Sequence, residues 1–244
     1  MRPGARKITL GVLMLCAVSF AYLVVSRGWL PAGDHAAQIP ASVWTGYKRE
    51  AKTHVTRRLR ELESRMPITG GALFIGDSIT ENAPLTSMFP GVPVANYGIG
   101  WGTSDGVLLR LDQIARNKPD RVFILIGTND LHYDHTPEHI AGNVVSAVVS
   151  LRRDMPATEF YVMSILPRQA KAMTTVRATN MLLEARAAAG GYVYLDLTPI
   201  FAAPDGTLRT DLTTDGLHLN AAGYAAWAKA MGPCVLYGCA ALTQ

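Results

Sequence analysis

The order of hydrophobic and polar positions divides the chain into three parts. Residues 8–25 are almost entirely apolar and carry no charge. Between residues 44 and 66, apolar side chains recur at steps of three and four, which predicts one amphipathic helix. Its apolar stripe comprises Trp44, Tyr47, Ala51, Val55, Leu59, Leu62 and Met66. The opposite face is basic and includes Arg58, and we expect it to be solvated or to face anionic lipid.

After Pro67 short apolar runs alternate with amphipathic stretches. The runs predict five strands, at residues 72–75, 92–96, 122–126, 160–165 and 192–195. The stretches predict helices at residues 105–115, 140–151, 174–189 and 221–231. Because each run is continuously apolar, we expect strands buried on both faces, in a parallel α/β sheet with helices on either side.

The apolar segment at residues 8–25 predicts a membrane anchor. Eighteen helical residues span about 27 Å, close to the hydrocarbon thickness of about 30 Å. Arg2, Arg6 and Lys7 precede the run, which places the N-terminus in the cytoplasm and the body outside it. No small-residue cleavage site follows, so an uncleaved signal-anchor is favoured over a cleaved signal peptide.

This pattern predicts three regions along the chain. They are a cytoplasmic tip and signal-anchor at 1–30, a linker and juxtamembrane helix at 31–66, and the main domain at 67–244. The expected location is a single-pass inner-membrane protein with a periplasmic or extracellular domain.

Composition excludes several classes of protein. With 49% hydrophobic and 17% charged residues, the chain is too apolar to be disordered. Four of its 23 basic residues lie in the first 30 positions, where there is no acid. The remaining 19 basic residues balance the 19 acidic ones, so we expect no nucleic-acid partner.

The cysteines agree with export. Cys16 lies in the apolar segment, whereas Cys234 and Cys239 are close together near the C-terminus. In an oxidising compartment this pair could form a disulfide, although the spacing also allows two free thiols. The spacing is not that of a zinc site.

Three short motifs follow predicted strands or precede the last helix. Ser78 lies in Gly-Asp-Ser-Ile-Thr at a strand-to-helix turn, where it is either a nucleophile or a helix cap. Asn129 follows the third strand and either donates into the site or forms a turn. Asp215 precedes His218 by three residues, so one local turn can supply a base and its orienting carboxylate.

Together with Asn-Tyr-Gly-Ile-Gly at 96–100, these motifs stand in the order of the four blocks of the SGNH (GDSL-type) hydrolases, and residues 71–232 resemble that family. The resemblance implies a three-layer α/β/α fold and a cofactor-free, metal-free ester hydrolase. It implies Ser78 as nucleophile, His218 as general base and Asp215 as its orienting partner. Asn129 and backbone N–H groups near Ser78 would stabilise the oxyanion.

The second block departs from the family pattern. It reads Gly100-Trp101-Gly102, so Trp101 occupies the place of the glycine that usually donates to the oxyanion. Since every residue except proline has a backbone N–H, Trp101 can donate, or Gly100 or Gly102 can take the role.

Several histidines follow the third strand. His132 and Tyr133 are expected to line the substrate cleft. An alternative is a metal site formed by His132, His135 and His139 with Asp130 and Asp134. That alternative is less favoured, because His and Asp residues in loops are commonly solvated or capping groups.

The sequence thus predicts a membrane-tethered esterase that removes or transfers small acyl groups. The expected substrate is O-acetyl on envelope or exported polysaccharide, and the expected partners include envelope polysaccharide machinery. A lysophospholipase or other lipid esterase is the second interpretation. The third is a glycan-binding or assembly protein that has lost activity, with Trp101 as its support.

Overall fold

The computed structural model describes residues 48–239. The proposed anchor, and Trp44 and Tyr47 of the apolar stripe, lie outside these residues. Across the described part of the chain, no helix combines the length and apolarity needed to span a bilayer.

Five parallel strands form one sheet in the order β2-β1-β3-β4-β5. The strands are β1 (Ala72–Gly76), β2 (Val94–Gly98), β3 (Arg121–Leu125), β4 (Glu159–Met163) and β5 (Val193–Leu195). The α-helices are α1 (Arg49–Ser64), α2 (Ser78–Glu81), α3 (Leu85–Met88), α4 (Ser104–Leu108), α5 (Leu111–Ala115), α6 (Pro137–Asp154), α7 (Met173–Ala185), α8 (Ala187–Gly190), α9 (Thr198–Phe201) and α10 (Ala221–Tyr237). Short 3₁₀ turns lie at Asp130–Tyr133, Ala170–Ala172 and Thr210–Leu212.

Helices cover both faces of the sheet, which confirms the predicted three-layer architecture. Successive strand residues face opposite sides, so Leu73 and Ile75 pack against one helical layer while Phe74 packs against the other. The first layer is built mainly on α1 and α6, with smaller contributions from α4, α5 and α7, and the second mainly on α10. On that second face, the ring of Phe74 stacks on Phe123, with the edge of Trp227 against it.

Two predicted helices are divided. The stretch at 105–115 forms α4 and α5, because Arg110 leaves the helical backbone (φ −127°, ψ 23°). Arg110 is also buried. The stretch at 174–189 ends as α7 at Ala185 and continues as the short α8.

Helix α1 belongs to the folded core. Val55, Leu59 and Leu62 are buried against the sheet, so part of the stretch expected to be a linker and juxtamembrane helix packs into the domain. Met66, expected on the same stripe, follows the end of α1 and is 87% exposed.

The expectation of a fully solvated basic face is wrong at Arg58. Its guanidinium is buried and donates to the carbonyl oxygens of Gly98 (3.1 Å) and Asn96 (3.2 Å) at the end of β2. A guanidinium carries five donors, and the carbonyls that end β2 satisfy two of them. A sequence pattern cannot show this pairing, because the partners lie about forty residues away.

The structure joins Cys234 and Cys239 in a disulfide, with Cα atoms 4.4 Å apart. Cys234 lies in the last turn of α10, and the chain reverses at Gly238 (φ 79°) to bring Cys239 back. A residue with a side chain would be strained in this left-handed conformation.

Candidate active site

The predicted catalytic side chains meet beyond the carboxyl ends of the strands. Ser78 begins α2 directly after β1, and Asn129 follows β3, the neighbour of β1 in the sheet. His218 lies in the turn that precedes α10. All three line one cavity of about 560 Å³. A parallel sheet commonly places its site at this edge.

Three side chains form a continuous hydrogen-bonded chain. Ser78 Oγ lies 2.9 Å from His218 Nε2, and His218 Nδ1 lies 2.7 Å from Asp215 Oδ2. With Nδ1 protonated toward the carboxylate, Nε2 presents its lone pair to the serine hydroxyl. This is the arrangement that lets a histidine remove the proton of a serine nucleophile.

The turn at 215–218 explains how two residues three positions apart supply both the general base and its orienting carboxylate. Asp215 Oδ1 accepts from the backbone N–H of Leu217 (3.0 Å) and His218 (2.8 Å), which leaves Oδ2 for the imidazole. Gly216 takes a left-handed conformation (φ 81°), which a glycine adopts without strain. Thr213 Oγ1 donates to His218 O at 2.7 Å and holds the other side of the turn.

These hydrogen bonds also set the charge of the carboxylate. The bond from the His218 side chain, followed by that from its backbone N–H, lowers the pKa of Asp215 to about 2. Asp215 is therefore ionised throughout the neutral range and accepts the Nδ1–H of the imidazole.

In the second block, the backbone N–H groups of both glycines are already hydrogen-bonded. The N–H of Gly100 donates to Glu81 Oε2, and the N–H of Gly102 donates to the carbonyl of Ile99 (2.9 Å). Both candidate glycine donors are therefore engaged away from the cleft, which corrects their expected role. Asn129 Nδ2 donates one hydrogen to Gly102 O (3.0 Å) and also lines the cavity.

Trp101 lies at the cavity wall in an unusual backbone conformation. Its φ is +66°, in the left-handed region that favours glycine, and the residue is 46% exposed. The family motif has glycine at this place, and the backbone keeps a glycine-like shape although the side chain has changed. The indole borders the same cavity as Ser78.

His132 and Tyr133 also line the cavity, where the sequence placed them. Burial, followed by the nearby charges of Arg168 and Lys171, lowers the pKa of His132. His132 is therefore neutral at neutral pH and can donate or accept one hydrogen bond. The less favoured metal group is only partly assembled. His132 lines the cavity while His135 and His139 lie together elsewhere, and of the two carboxylates Asp130 lies 3.3 Å from His135 Nδ1.

Other residues that line or support the cavity could not be identified from motif spacing. Lys48 and Ala51 at the start of α1 line the cavity, as does Leu217. Glu81, which holds the N–H of Gly100, is also bonded to His54 of α1 (2.8 Å). The amphipathic pattern predicts α1 but not the surface on which it packs.

Asp77, beside the nucleophile, is fully buried and caps α2 by accepting from the N–H of Ile79 (2.9 Å). Burial raises its pKa to about 7. Arg168 lies nearby and donates to the carbonyl and hydroxyl oxygens of Thr128. These groups support the turns that carry Ser78 and Asn129.

Comparison with known proteins identifies the class. The model of the GDSL-like lipase/acylhydrolase family matches residues 74–226, and the chain belongs to this family. The resemblance seen in the four sequence blocks is therefore confirmed, and the family supports an ester hydrolase.

Individual relatives extend this result. The platelet-activating factor acetylhydrolase IB subunit alpha1 proteins of Rattus norvegicus and Homo sapiens are 29% identical over 170 residues, covering 65% of this chain and 72% of each relative. A Streptococcus pneumonia structure named for a platelet activating factor has a TM-score of 0.68 and 26% identity, covering 81% of this chain and 100% of that one. An acetyl-xylooligosaccharide esterase from Geobacillus Stearmophilus has the same fold, with a TM-score of 0.57 and 19% identity over 70% of this chain and 97% of that one.

Proposed function

We propose that this chain is a serine esterase that cleaves small acyl esters at Ser78. The observation that carries the proposal is the chain of contacts from Ser78 Oγ through His218 to Asp215, at 2.9 and 2.7 Å. Ser78 Oγ attacks the ester carbonyl carbon while its proton passes to His218 Nε2. The ester C–O bond then breaks and the proton moves to the leaving alcohol, which gives an acyl-serine.

Water completes the cycle by the same route. His218 removes a proton from water as the oxygen attacks the acyl carbon, and Ser78 leaves with that proton. Asp215 remains ionised and stabilises the imidazolium formed in each half-reaction. If a sugar hydroxyl takes the place of water, the same residues transfer the acyl group.

The tetrahedral oxyanion requires donors placed beside Ser78. We assign the side-chain amide of Asn129 and the backbone N–H groups of Ser78 and Trp101. Trp101 lies in the cavity wall with the left-handed backbone expected of the family's donor glycine, which supports its assignment. Each such donor contributes about 10²–10³ in rate.

The acyl group is proposed to be small, with acetyl the first choice. Trp101 lines the same cavity as Ser78, and we propose that its indole fills space that a longer acyl chain would need. The relatives named platelet-activating factor acetylhydrolase support the same acyl group. We propose O-acetyl groups on envelope or exported polysaccharide as the substrate, reached by a domain tethered outside the cytoplasm.

A lipid ester is the second candidate, because the names of these relatives also point to platelet-activating factor. In this case the tether would hold the cavity beside its substrate. The expected anchor, topology and polysaccharide partners rest on the sequence of residues 1–30. Protease added to intact spheroplasts should digest the domain if this topology is right, and full protection would reverse it.

The deciding experiment is a substrate panel with the purified full chain. Acetylated glycans, lysophospholipids and p-nitrophenyl esters of rising chain length are compared at equal concentration. Ser78→Ala should abolish turnover of every substrate while the circular dichroism spectrum is kept. Ser87→Ala is the matched control, since Ser87 is exposed and lies outside the cavity of Ser78.

Near-normal turnover by a folded Ser78→Ala protein would refute the mechanism. Turnover of lysophospholipids but not glycans would select the lipid esterase. Glycan binding without turnover of any ester would select the non-catalytic interpretation.

A further inference from the structure

Three side chains able to bind a metal ion meet outside the catalytic cavity. They are Asp105 of α4, His135 in the loop after the 3₁₀ turn, and His139 in the first turn of α6. His139 Nε2 lies 3.0 Å from Asp105 Oδ2, and His135 Nδ1 lies 3.5 Å from the same oxygen. One ligand atom from each residue lies within 4.8 Å of the other two.

These separations suit a tetrahedral ion. Zinc–ligand bonds of about 2.0–2.1 Å give about 3.3 Å between any two ligand atoms of a tetrahedron. The two distances from Asp105 lie on either side of this value. Two imidazoles with one carboxylate are also a common protein ligand set for a divalent transition metal.

The contacts of His139 converge on one carboxylate. Its Nε2 lies 3.0–3.1 Å from both carboxylate oxygens of Asp105 and 3.1 Å from Asn143 Nδ2. Asn143 Nδ2 also lies 2.9 Å from Asp105 Oδ1, which fixes this amide group as a donor.

The two hydrogens of this amide are accepted by Asp105 Oδ1 and by Ser104 Oγ (3.0 Å), so Asn143 holds the carboxylate without needing His139 as an acceptor. Nε2 of His139 can therefore approach the carboxylate either through its own proton or through a shared metal ion.

The surroundings hold the carboxylate in place. Asn143 donates to Asp105 Oδ1, and the neighbouring Ser104 is fixed by Asp130, which accepts from its N–H (3.0 Å) and its hydroxyl (2.5 Å). Asp130 is fully buried, so this support is rigid. Such outer contacts orient metal ligands and strengthen binding.

We propose that Asp105, His135 and His139 bind one divalent transition metal ion, for which zinc is the best match. Asp105 and His139 are partly exposed, so water can complete the coordination. The ion would tie α4, which follows the second block, to the start of α6. It would act on stability, and no step of ester hydrolysis passes through it.

The proposal is tested by metal binding to the full chain, which needs no substrate. After dialysis against a chelator, Co²⁺ is titrated while its visible ligand-field absorption is recorded, and Zn²⁺ is then added as competitor. We expect one Co²⁺ per chain with a tetrahedral spectrum, displacement by Zn²⁺, and a higher Tm with Zn²⁺. Asp105→Asn and His139→Ala should each weaken binding at least about tenfold.

Asp134→Asn is the matched control for Asp105→Asn. Asp134 is a nearby loop carboxylate in a left-handed conformation (φ 53°), which asparagine also tolerates, and it should leave binding unchanged. Absence of a cobalt spectrum and of a Zn²⁺-dependent Tm in the wild-type chain would overturn the site. Equal binding by Asp105→Asn, His139→Ala and Asp134→Asn would overturn it as well.

Discussion

Replacing Trp101 by glycine tests whether the indole sets the acyl length. About half of the side chain is buried, roughly 100 Å², so its loss removes about 2.5 kcal/mol of hydrophobic stabilisation. Relief of the left-handed backbone returns about 1–2 kcal/mol. The greater freedom of glycine in the unfolded chain subtracts about 0.4–1 kcal/mol. The net loss of about 1–2.5 kcal/mol is small enough for the variant to remain folded.

The expected change in specificity is larger. A methylene in an apolar pocket is worth about 1–3 kcal/mol, so each added carbon admitted should gain roughly tenfold or more in kcat/KM. Because glycine keeps a backbone N–H, hydrolysis of acetyl esters should persist. The assay measures kcat/KM for acetyl, butyryl and octanoyl p-nitrophenyl esters in wild type and variant.

Two further variants separate the effect of the aromatic side chain from the effect of the left-handed backbone. Trp101→Phe keeps an aromatic wall and should keep the acetyl preference. Trp101→Ala should broaden the profile as glycine does, but should be less stable than Trp101→Gly by about 1 kcal/mol, since its Cβ keeps the left-handed strain. An unchanged acetyl-to-octanoyl ratio in a folded Trp101→Gly protein would refute the reasoning.

Three further perturbations test the catalytic residues and the groups that stabilise the fold. Asp215→Asn should lower kcat by about 10²–10⁴, because the amide cannot stabilise the imidazolium of His218; a loss below threefold would contradict this role. Burial raises the pKa of Asp77 from 3.8 to about 7. As the pH rises, the folded chain therefore keeps the proton of Asp77 after the unfolded chain has released it. Stability should therefore fall as the pH rises from about 4 to 7, and Asp77→Asn should remove this slope in urea unfolding, whereas an identical slope would exclude Asp77 as its source. Reduction of the Cys234–Cys239 disulfide should lower the free energy of unfolding by about 2 kcal/mol, and alkylation of both thiols without reductant would show that no disulfide exists.

Much of the fold was predictable because its signals are local. Buried parallel strands produce continuous apolar runs, and these placed all five strands to within a few residues. The break at Arg110 was not predictable, since the residue is compatible with a helix and leaves it in a buried setting. The burial of Arg58 depends on carbonyl groups about forty residues away, which no periodicity encodes.

The candidate site also contains residues that local sequence motifs predict and contacts that they do not. Ser78, Asn129 and His218 were found because each belongs to a short motif with a known order along the chain. The engagement of Gly100 by Glu81, and the approach of Asp105 to His139, depend on packing between segments 19 and 34 residues apart in the sequence. Residue types alone therefore grouped the histidines with Asp130, which does lie 3.3 Å from His135, but gave no sign of Asp105.

The position of helix α1 has a practical consequence for truncated or chimeric forms of this protein. It precedes the family-matched region, yet Lys48 and Ala51 border the cavity and His54 bonds the glutamate that holds the second block. A fragment trimmed to the matched region would lose one side of its binding pocket and uncover the sheet surface beneath Leu59. Since Lys48 lines the cavity, the chain that precedes it joins the described domain beside that cavity. Exchanging the segment before β1 between relatives would therefore exchange one side of the cavity as well.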